Sequence, residues 1–202
     1  MNPFPGKTVI GLTGGIASGK STALKIFEQL GWETISVDSI VSEFLEKDER
    51  VRDTLRKRWG TELFFSGGIV DKSKIAQIIF NDPSERSWLE SFLHPLVRSH
   101  WVKFIGNSSK ERFVVELPLL FENKLKSHFT KILCIYVPMD LQVSRMLERG
   151  SDESEAMARI QAQMPSTDKV SLSDYVLLGS GSEEFLCSQI KRMIKTFSQA
   201  SQ

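Results

Sequence analysis

One stretch near the start of the chain restricts the possible folds more than any other feature. Residues Gly14 to Ser21 read GGIASGKS and match the pattern GxxxxGKS/T. The apolar run Thr8–Thr13 precedes them, and a helical pattern follows over Thr22–Leu30. Glycines let backbone N–H groups wrap an anion, and the N-terminus of a helix favours negative charge. In this context the pattern predicts a strand, a phosphate-binding loop and a helix, which together open an α/β domain.

Two side chains of this loop predict which anion it binds. Lys20 can place an ammonium near the β- and γ-phosphates of a nucleoside triphosphate, and the Ser21 hydroxyl can bind Mg²⁺. The alternative is a glycine-rich turn with a surface lysine, which the flanking strand and helix disfavour. A GTPase is excluded because the run Asn123–Lys126 lacks the aspartate of NKxD and the chain contains no DxxG. These observations favour a small kinase with a triphosphate donor.

Composition excludes several other classes of protein. The 202 residues suit one domain, or one domain with an insertion, and the net charge of +1 argues against a broad basic face for nucleic acid. The two cysteines, Cys134 and Cys187, form neither a CxxC pair nor a zinc motif. We find no signal-peptide pattern and no apolar run of membrane-spanning length, so we expect a cytoplasmic protein with no membrane partner.

The alternation of strand and helix patterns predicts the architecture. From Ser39 to about Ser108 the patterns are helical, with Asp82 placed to cap a helix at Pro83 and Pro95 expected to kink or break that helix. Strand patterns then return between helices, so we expect five parallel strands with a helical insertion. The predicted strands are Thr8–Thr13, Trp32–Val37, Phe113–Leu117, Lys131–Val137 and Tyr175–Leu178. The predicted helices are Thr22–Leu30, Ile40–Lys47, Val51–Trp59, Lys72–Phe80, Pro83–Ile105, Asp140–Arg149, Glu153–Met164 and Glu183–Phe197.

Further charged residues occur where a kinase needs them. Asp38 ends the second strand pattern, so its carboxylate should face the ligand crevice. There it can accept a proton from an acceptor hydroxyl or orient that hydroxyl, whereas the alternative is an N-cap for the following helix. Arg145 and Arg149 share a helix face with Gln142 and can stabilise charge on a transferring phosphoryl group. The alternative for that face is an ordinary solvated surface paired with acidic neighbours.

The chain as a whole resembles the dephospho-coenzyme A kinase family. The most specific pieces are His94-Pro95-Leu96 and the run Pro118–Glu122, which reads PLLFE. Other small P-loop kinases do not share these pieces in this arrangement. The remaining pieces, in the family's order and spacing from about residue 8 to residue 181, are Leu12–Thr22, Leu30-Gly31, the face of Gln142, Arg145 and Arg149, and Gln163.

The resemblance implies an activity and a set of site residues. It implies transfer of the terminal phosphoryl group of ATP, with Mg²⁺, to the ribose 3′-hydroxyl of dephospho-coenzyme A. Catalytic roles would fall to Asp38, Lys20 and Arg145, and Ser21 would bind the metal. A packing role for His94 and a surface position for Glu122 stay open as alternatives. The implied ATP-binding residues are Gly15, Ile16, Ala17, Ser18, Gly19, Lys20, Ser21, Thr22, Arg145 and Arg149, and the implied acceptor-binding residues are Asp38, His94, Pro118, Leu119 and Glu122.

The resemblance also implies a domain organisation. We expect a three-layer α/β fold of the P-loop NTPase type, formed by a single domain over residues 1–202. Its core would comprise residues 1–38, 109–139 and 170–202, with a helical acceptor-binding insertion at about 39–108 and a helical lid at about 140–169.

The chain departs from the family's pattern in four places. Ala17 stands where glycine is usual, which makes a positive φ costly at that point of the loop. Ser36-Val37-Asp38 keeps only the last acid of Asp-Ala-Asp, and Lys72 stands where arginine is common. Gly179 replaces an expected asparagine, which puts an adenine-side contact in question. None of these departures removes a part needed for phosphoryl transfer, so we expect activity.

Two other functions remain as alternatives to this interpretation. The first is a P-loop kinase that acts on a different nucleotide-like or small hydroxyl acceptor. The second is a triphosphate-dependent binding or regulatory protein without transfer, against which the retained Asp38 argues. The expected partners are ATP and dephospho-coenzyme A rather than nucleic acid, and the sequence leaves the oligomeric state open.

Overall fold

Five strands form one sheet in the computed structural model, which describes residues 3–199. The strands are β1 (Thr8–Gly14), β2 (Glu33–Ser36), β3 (Arg112–Glu116), β4 (Lys131–Tyr136) and β5 (Tyr175–Leu178). Their order is β2-β3-β1-β4-β5, so the strand that leads into the glycine-rich loop is central. β1 runs parallel to β3 and β4, and β4 runs parallel to β5. The predicted α/β sheet is therefore confirmed, with strand ends that differ from the prediction by one residue in most cases.

Helices connect these strands and fill the long segment between β2 and β3. They are α1 (Lys20–Gln29), α2 (Val37–Lys47), α3 (Glu49–Trp59), α4 (Lys72–Asn81), α5 (Pro83–Asn107), α6 (Met139–Glu148), α7 (Glu153–Gln161), α8 (Ser166–Leu172) and α9 (Glu183–Gln199). Within residues 3–199, none of these helices combines the length and the apolar character needed to cross a bilayer.

The sheet belongs to the larger of two compact units, which comprises Met1–Ile35 and Ser108–Gln202. The central strands are buried on both faces, as the continuous apolar runs predict, and Ile10 and Leu12 are fully buried. Helix α9 packs against the same core through Leu186, Ile190 and Met193. Because each such side chain contributes about 1.5–3 kcal/mol on burial, this core holds the glycine-rich loop on a rigid support.

Residues Ser36–Asn107 form the second compact unit, which is helical. Asp82 caps α5 as predicted, since its Oδ1 accepts hydrogen bonds from the backbone N–H groups of Ser84 at 2.8 Å and Glu85 at 3.4 Å. The expected break at Pro95 is wrong, because α5 runs through it as one helix. Proline in a helix costs about 3 kcal/mol, and burial of one face on both sides of it offsets that cost. The buried residues of this face are Leu89, Leu93, Val97, Trp101 and Ile105.

Most helix boundaries also differ from the prediction by one to three residues, and two of these differences bear on the site. β2 ends at Ser36 and α2 begins at Val37, so Asp38 lies in the first turn of α2 rather than at the end of the strand. The N-cap position belongs to Ser36, which makes the N-cap interpretation of Asp38 wrong. The helix expected over Glu153–Met164 ends at Gln161, and α8, which we did not predict, follows Pro165. The proline disfavours helical backbone at the residue before it, which explains the stop.

Candidate active site

The glycine-rich loop connects β1 directly to α1 and forms a concave backbone surface. Ala17 has a φ of 56° and Gly19 a φ of 95°, so the chain turns through the left-handed region twice before the helix begins. Such turns aim successive N–H groups inward, where they bind anions. The Ser18 hydroxyl is fully buried and meets no hydrogen-bond partner among the described residues. A buried hydroxyl without a partner is costly unless a ligand supplies one, so the loop fits an anionic oxygen.

Ala17 takes the left-handed conformation although it is not glycine. That conformation costs an L-residue about 1–2 kcal/mol. The Ala17 methyl is buried in a small apolar cluster with Met146 of α6 and Ala156 of α7. Burial of one methyl group returns about 0.8 kcal/mol, which offsets much of the strain. The same cluster packs helices α6 and α7 against the loop.

The Lys20 side chain lies across the loop rather than in solvent. It is 8% exposed, and its Nζ donates hydrogen bonds to the carbonyl oxygens of Gly14 at 3.2 Å and Gly15 at 2.8 Å. Cys134 of β4 pairs in register with Thr13 of β1 near this position. Burial raises the pKa of the Cys134 thiol to about 11, and the charges of Lys169 and Lys20 oppose that rise. The ammonium groups of Lys20 and Lys169 therefore both act on the Cys134 thiol.

The next residues on α1, Ser21 and Thr22, can serve a metal-bound phosphate. Ser21 is exposed in the first turn and offers a hydroxyl oxygen, a hard donor of the kind that Mg²⁺ prefers. Among the described residues no group of three or more His, Cys, Asp or Glu could hold a metal ion. Magnesium is commonly held by one or two protein oxygens together with phosphates and water. The residues present therefore fit Mg²⁺ that arrives with a triphosphate.

Arg145 of α6 joins the loop to the segment after β5. Its two terminal nitrogens donate to the carbonyl oxygens of Ala17 at 3.1 Å and Gly179 at 2.8 Å. A Cβ at Gly179 would collide with the carbonyl oxygen of Ser18, so the backbone passes where an asparagine side chain has no room. Arg149, which was predicted to share this role, is exposed at the C-cap of α6. The structure thus brings Arg145, but not Arg149, into contact with the loop.

The loop that follows β3 carries the other predicted residues of the sheet unit. The Pro118 carbonyl accepts hydrogen bonds from Lys169 Nζ at 2.6 Å and from Thr13 Oγ1 at 3.4 Å. Glu122 Oε1 lies 3.0 Å from Lys169 Nζ and accepts the N–H of Met164 at 2.9 Å. Leu119 is half-buried between them. Because Glu122 is ion-paired and its side chain is 23% exposed, the open alternative of a free surface carboxylate does not apply.

The remaining predicted residues, Asp38 and His94, belong to the helical unit. Asp38 is exposed in the first turn of α2, where the N-terminal end of the helix favours its negative charge. His94 is half-buried in α5, directly before Pro95. Both side chains retain access to solvent, so both are accessible to a ligand.

Two buried charged residues of the sheet unit were missed by the sequence analysis. Glu116 ends β3, is 7% exposed and pairs in register with Leu12, next to the glycine-rich loop. The sequence did contain a signal for Glu116, because it is an acidic residue at the end of an apolar strand. NTPases place a metal-associated carboxylate at such a position beside the phosphate-binding loop. Lys169 of α8 is fully buried beneath the 118–122 loop. Its segment has no apolar periodicity that would have pointed to it.

Comparison with known proteins agrees with this arrangement. The sequence model of the dephospho-CoA kinase family matches residues 8–184 of the chain. A dephospho-CoA kinase of Helicobacter pylori is 35% identical over 195 residues, covering 94% of this chain and 97% of the relative. One of Carboxydothermus hydrogenoformans is 36% identical over 191 residues, covering 93% of each. A solved structure of a dephospho-CoA kinase from Campylobacter jejuni is similar with a TM-score of 0.70 and 25% identity, over 97% of this chain and 100% of that one.

Proposed function

Because the chain belongs to the dephospho-CoA kinase family, we propose that it phosphorylates the ribose 3′-hydroxyl of dephospho-coenzyme A with ATP, giving coenzyme A. The observation that carries the proposal is the loop itself, where Lys20 and Arg145 contact the same short stretch of backbone. In the reaction the acceptor oxygen attacks the γ-phosphorus, the bond from that phosphorus to the bridging oxygen breaks, and ADP leaves with the electron pair. The family match extends over nearly the whole chain, which supports a complete kinase rather than a loop alone.

The donor side of the reaction falls to the loop and α6. The N–H groups of residues 15–19 and the first turn of α1 would bind the phosphates of ATP, together with Lys20 and Thr22. Ser21 would hold Mg²⁺, which when bound neutralises charge on the β- and γ-phosphates. Arg145 would stabilise charge on the transferring group, and Arg149, being exposed, remains available for the same purpose.

Acceptor roles are proposed for residues of the helical unit and, separately, for residues of the sheet unit. Asp38 would take the proton of the 3′-hydroxyl, because its carboxylate is exposed in the first turn of α2 and can serve as a general base. Pro118, Leu119 and Glu122 would bind the acceptor in the sheet unit, and acceptor binding is likewise proposed for His94 of α5 in the helical unit. The cytoplasmic location expected from the sequence stays part of this proposal, and it suits two cysteines that are both free.

An acceptor panel tests the proposal directly. The purified protein is incubated with ATP and Mg²⁺ and with dephospho-coenzyme A, nucleosides, nucleoside monophosphates or sugars, and ADP release is followed. We expect acceptor-dependent ADP release with dephospho-coenzyme A and a coenzyme A product by mass spectrometry. Transfer to a different acceptor alone would replace the proposal with the general small-molecule kinase, and triphosphate binding without any transfer would favour a regulatory protein.

A further inference from the structure

Lys169 is a buried cation that the proposed mechanism does not use. It lies on α8, just beyond the lid helices, and its side chain is fully buried. Lysine is almost never fully buried unless it is paired, because removal of an ammonium from water is costly. Its position therefore requires partners that compensate for the lost hydration, and those partners indicate what the residue does.

The partners of Lys169 lie at the two ends of the 118–122 loop. Its Nζ donates to the Pro118 carbonyl at 2.6 Å and pairs with Glu122 Oε1 at 3.0 Å. The same oxygen of Glu122 accepts the backbone N–H of Met164, from the segment between α7 and α8, at 2.9 Å. One ammonium thus fixes the loop at both ends and connects it to the end of the lid.

The second carboxylate oxygen of Glu122, Oε2, takes no part in these contacts. Oε2 is buried, and among residues 3–199 no donor meets it. A buried carboxylate oxygen without a donor is unfavourable unless a ligand supplies an O–H or N–H. Since Oε1 already has two donors, only Oε2 is available to a bound molecule.

We propose that Lys169 is a positioning residue that holds the Glu122 carboxylate so that Oε2 receives an O–H or N–H donor of the acceptor substrate. The inference rests on the proposed function, because it takes the 118–122 loop as the acceptor side. Lys169 acts through Glu122 and the loop and does not touch the reacting atoms. An ion pair with a purely structural role would stabilise the fold to the same extent. It would not explain why the buried Oε2 lacks a donor among the described residues.

A double-mutant cycle separates these two roles. The variants are Lys169→Met, Glu122→Gln and the double variant, with Lys126→Met as a matched control because the Lys126 ammonium is exposed and donates only to the Leu172 carbonyl. Lys169→Met is expected to raise the KM for the acceptor roughly 10- to 100-fold, the range of a lost hydrogen bond to a charged group. The KM for ATP should stay within about twofold, and Lys126→Met should change neither KM.

The coupling between the two substitutions decides the outcome. If Lys169 acts through Glu122, the double variant is no worse for the acceptor than Glu122→Gln alone. The double variant also removes the unpaired buried charge, so it gives a folded protein to assay if Lys169→Met alone is unstable. The proposal would be overturned in favour of a structural ion pair if the two substitutions raised the KM for the acceptor multiplicatively. It would also be overturned if the KM for the acceptor and the KM for ATP rose equally.

Amide hydrogen exchange gives a readout that does not depend on activity. In Lys169→Met, the amides of residues 119–125 should exchange at least about tenfold faster than in Lys126→Met, because the loop loses both of its contacts with Lys169. If the exchange rates of these amides were unchanged, Lys169 would not anchor the loop. This conclusion would hold even if no acceptor in the panel were phosphorylated. Faster exchange together with an inactive parent protein would instead leave the anchor standing and contradict the proposed function.

Discussion

Gly179 offers a sharp test of how closely the chain after β5 packs on the phosphate-binding loop. Its φ lies outside the left-handed region, so any effect of a substitution comes from contact and not from backbone strain. A Cβ there would collide with the carbonyl oxygen of Ser18 and would lie 2.8 Å from Ile135 Cγ2 and 2.9 Å from Val137 Cγ2. The Ser18 oxygen is backbone and cannot rotate away, so the loop itself must move.

Gly179→Ala should therefore lower both stability and ATP affinity. Overpacking of this kind costs about 1–3 kcal/mol. For a protein of this size, that cost corresponds to a fall in Tm of about 2–12 °C. Displacement of the loop also disturbs the Arg145 contact with the Gly179 carbonyl, so ATP should bind about tenfold or more weakly. Thermal unfolding and calorimetric titration with ATP measure the two effects.

Gly106→Ala is the matched control for this substitution. A Cβ at Gly106 would meet nothing within 4 Å, and the residue lies near the end of α5. Alanine favours helix over glycine, so this change should leave the Tm unaltered or raise stability by up to about 1 kcal/mol. If Gly179→Ala behaved like Gly106→Ala in both assays, the close packing described for this segment would be refuted.

Three further predictions concern the chemistry and the helical unit. Asp38→Asn should leave the Kd for ATP nearly unchanged and lower kcat roughly 10²-fold, as for a lost general base, and an unchanged kcat would refute that assignment. Lys20→Ala should weaken ATP binding as well as turnover, and equal nucleotide affinity in variant and parent would contradict the contacts drawn from Lys20 to the loop. Hydrogen bonds from Arg58 and then Trp59 lower the pKa of Glu85, so its contribution to stability is present above the ordinary glutamate pKa and is lost as the pH falls through the lowered value. Urea unfolding between about pH 3 and pH 6 should accordingly show a weaker loss of stability in acid for Glu85→Gln than for the parent, and identical pH dependence would argue against this pairing.

The sequence predicted the parts of the fold that local pattern determines. The central strands are continuous apolar runs, and buried parallel strands require such runs, so β1, β3 and β4 were located within a residue. The loop and α1 follow from glycine placement and helix periodicity. The break expected as one of two outcomes at Pro95 was wrong because the local rule counts one lost hydrogen bond, whereas the buried face of α5 on both sides of it is a tertiary contribution.

The site was predictable only where its residues belong to a local motif. Lys20 and Ser21 follow from the loop pattern, and Arg145 follows from helix spacing, but its carbonyl partners come from distant segments. Lys169 looks like an ordinary surface lysine in a polar stretch. Its burial depends on Pro118 and Glu122, about fifty residues earlier in the chain, and no pattern in the sequence connects these positions.

The carbonyl contacts of Lys20 and Arg145 have a consequence for what the loop can bind. Both cations already donate to uncharged backbone oxygens, so an incoming ligand that takes over those N–H donors competes with the existing bonds. A hydrogen bond between ionised partners is roughly twice as strong as one with a neutral acceptor. A polyphosphate therefore gains from the replacement, while a neutral sugar or nucleoside gains nothing. The loop thus favours ligands that carry more negative charge.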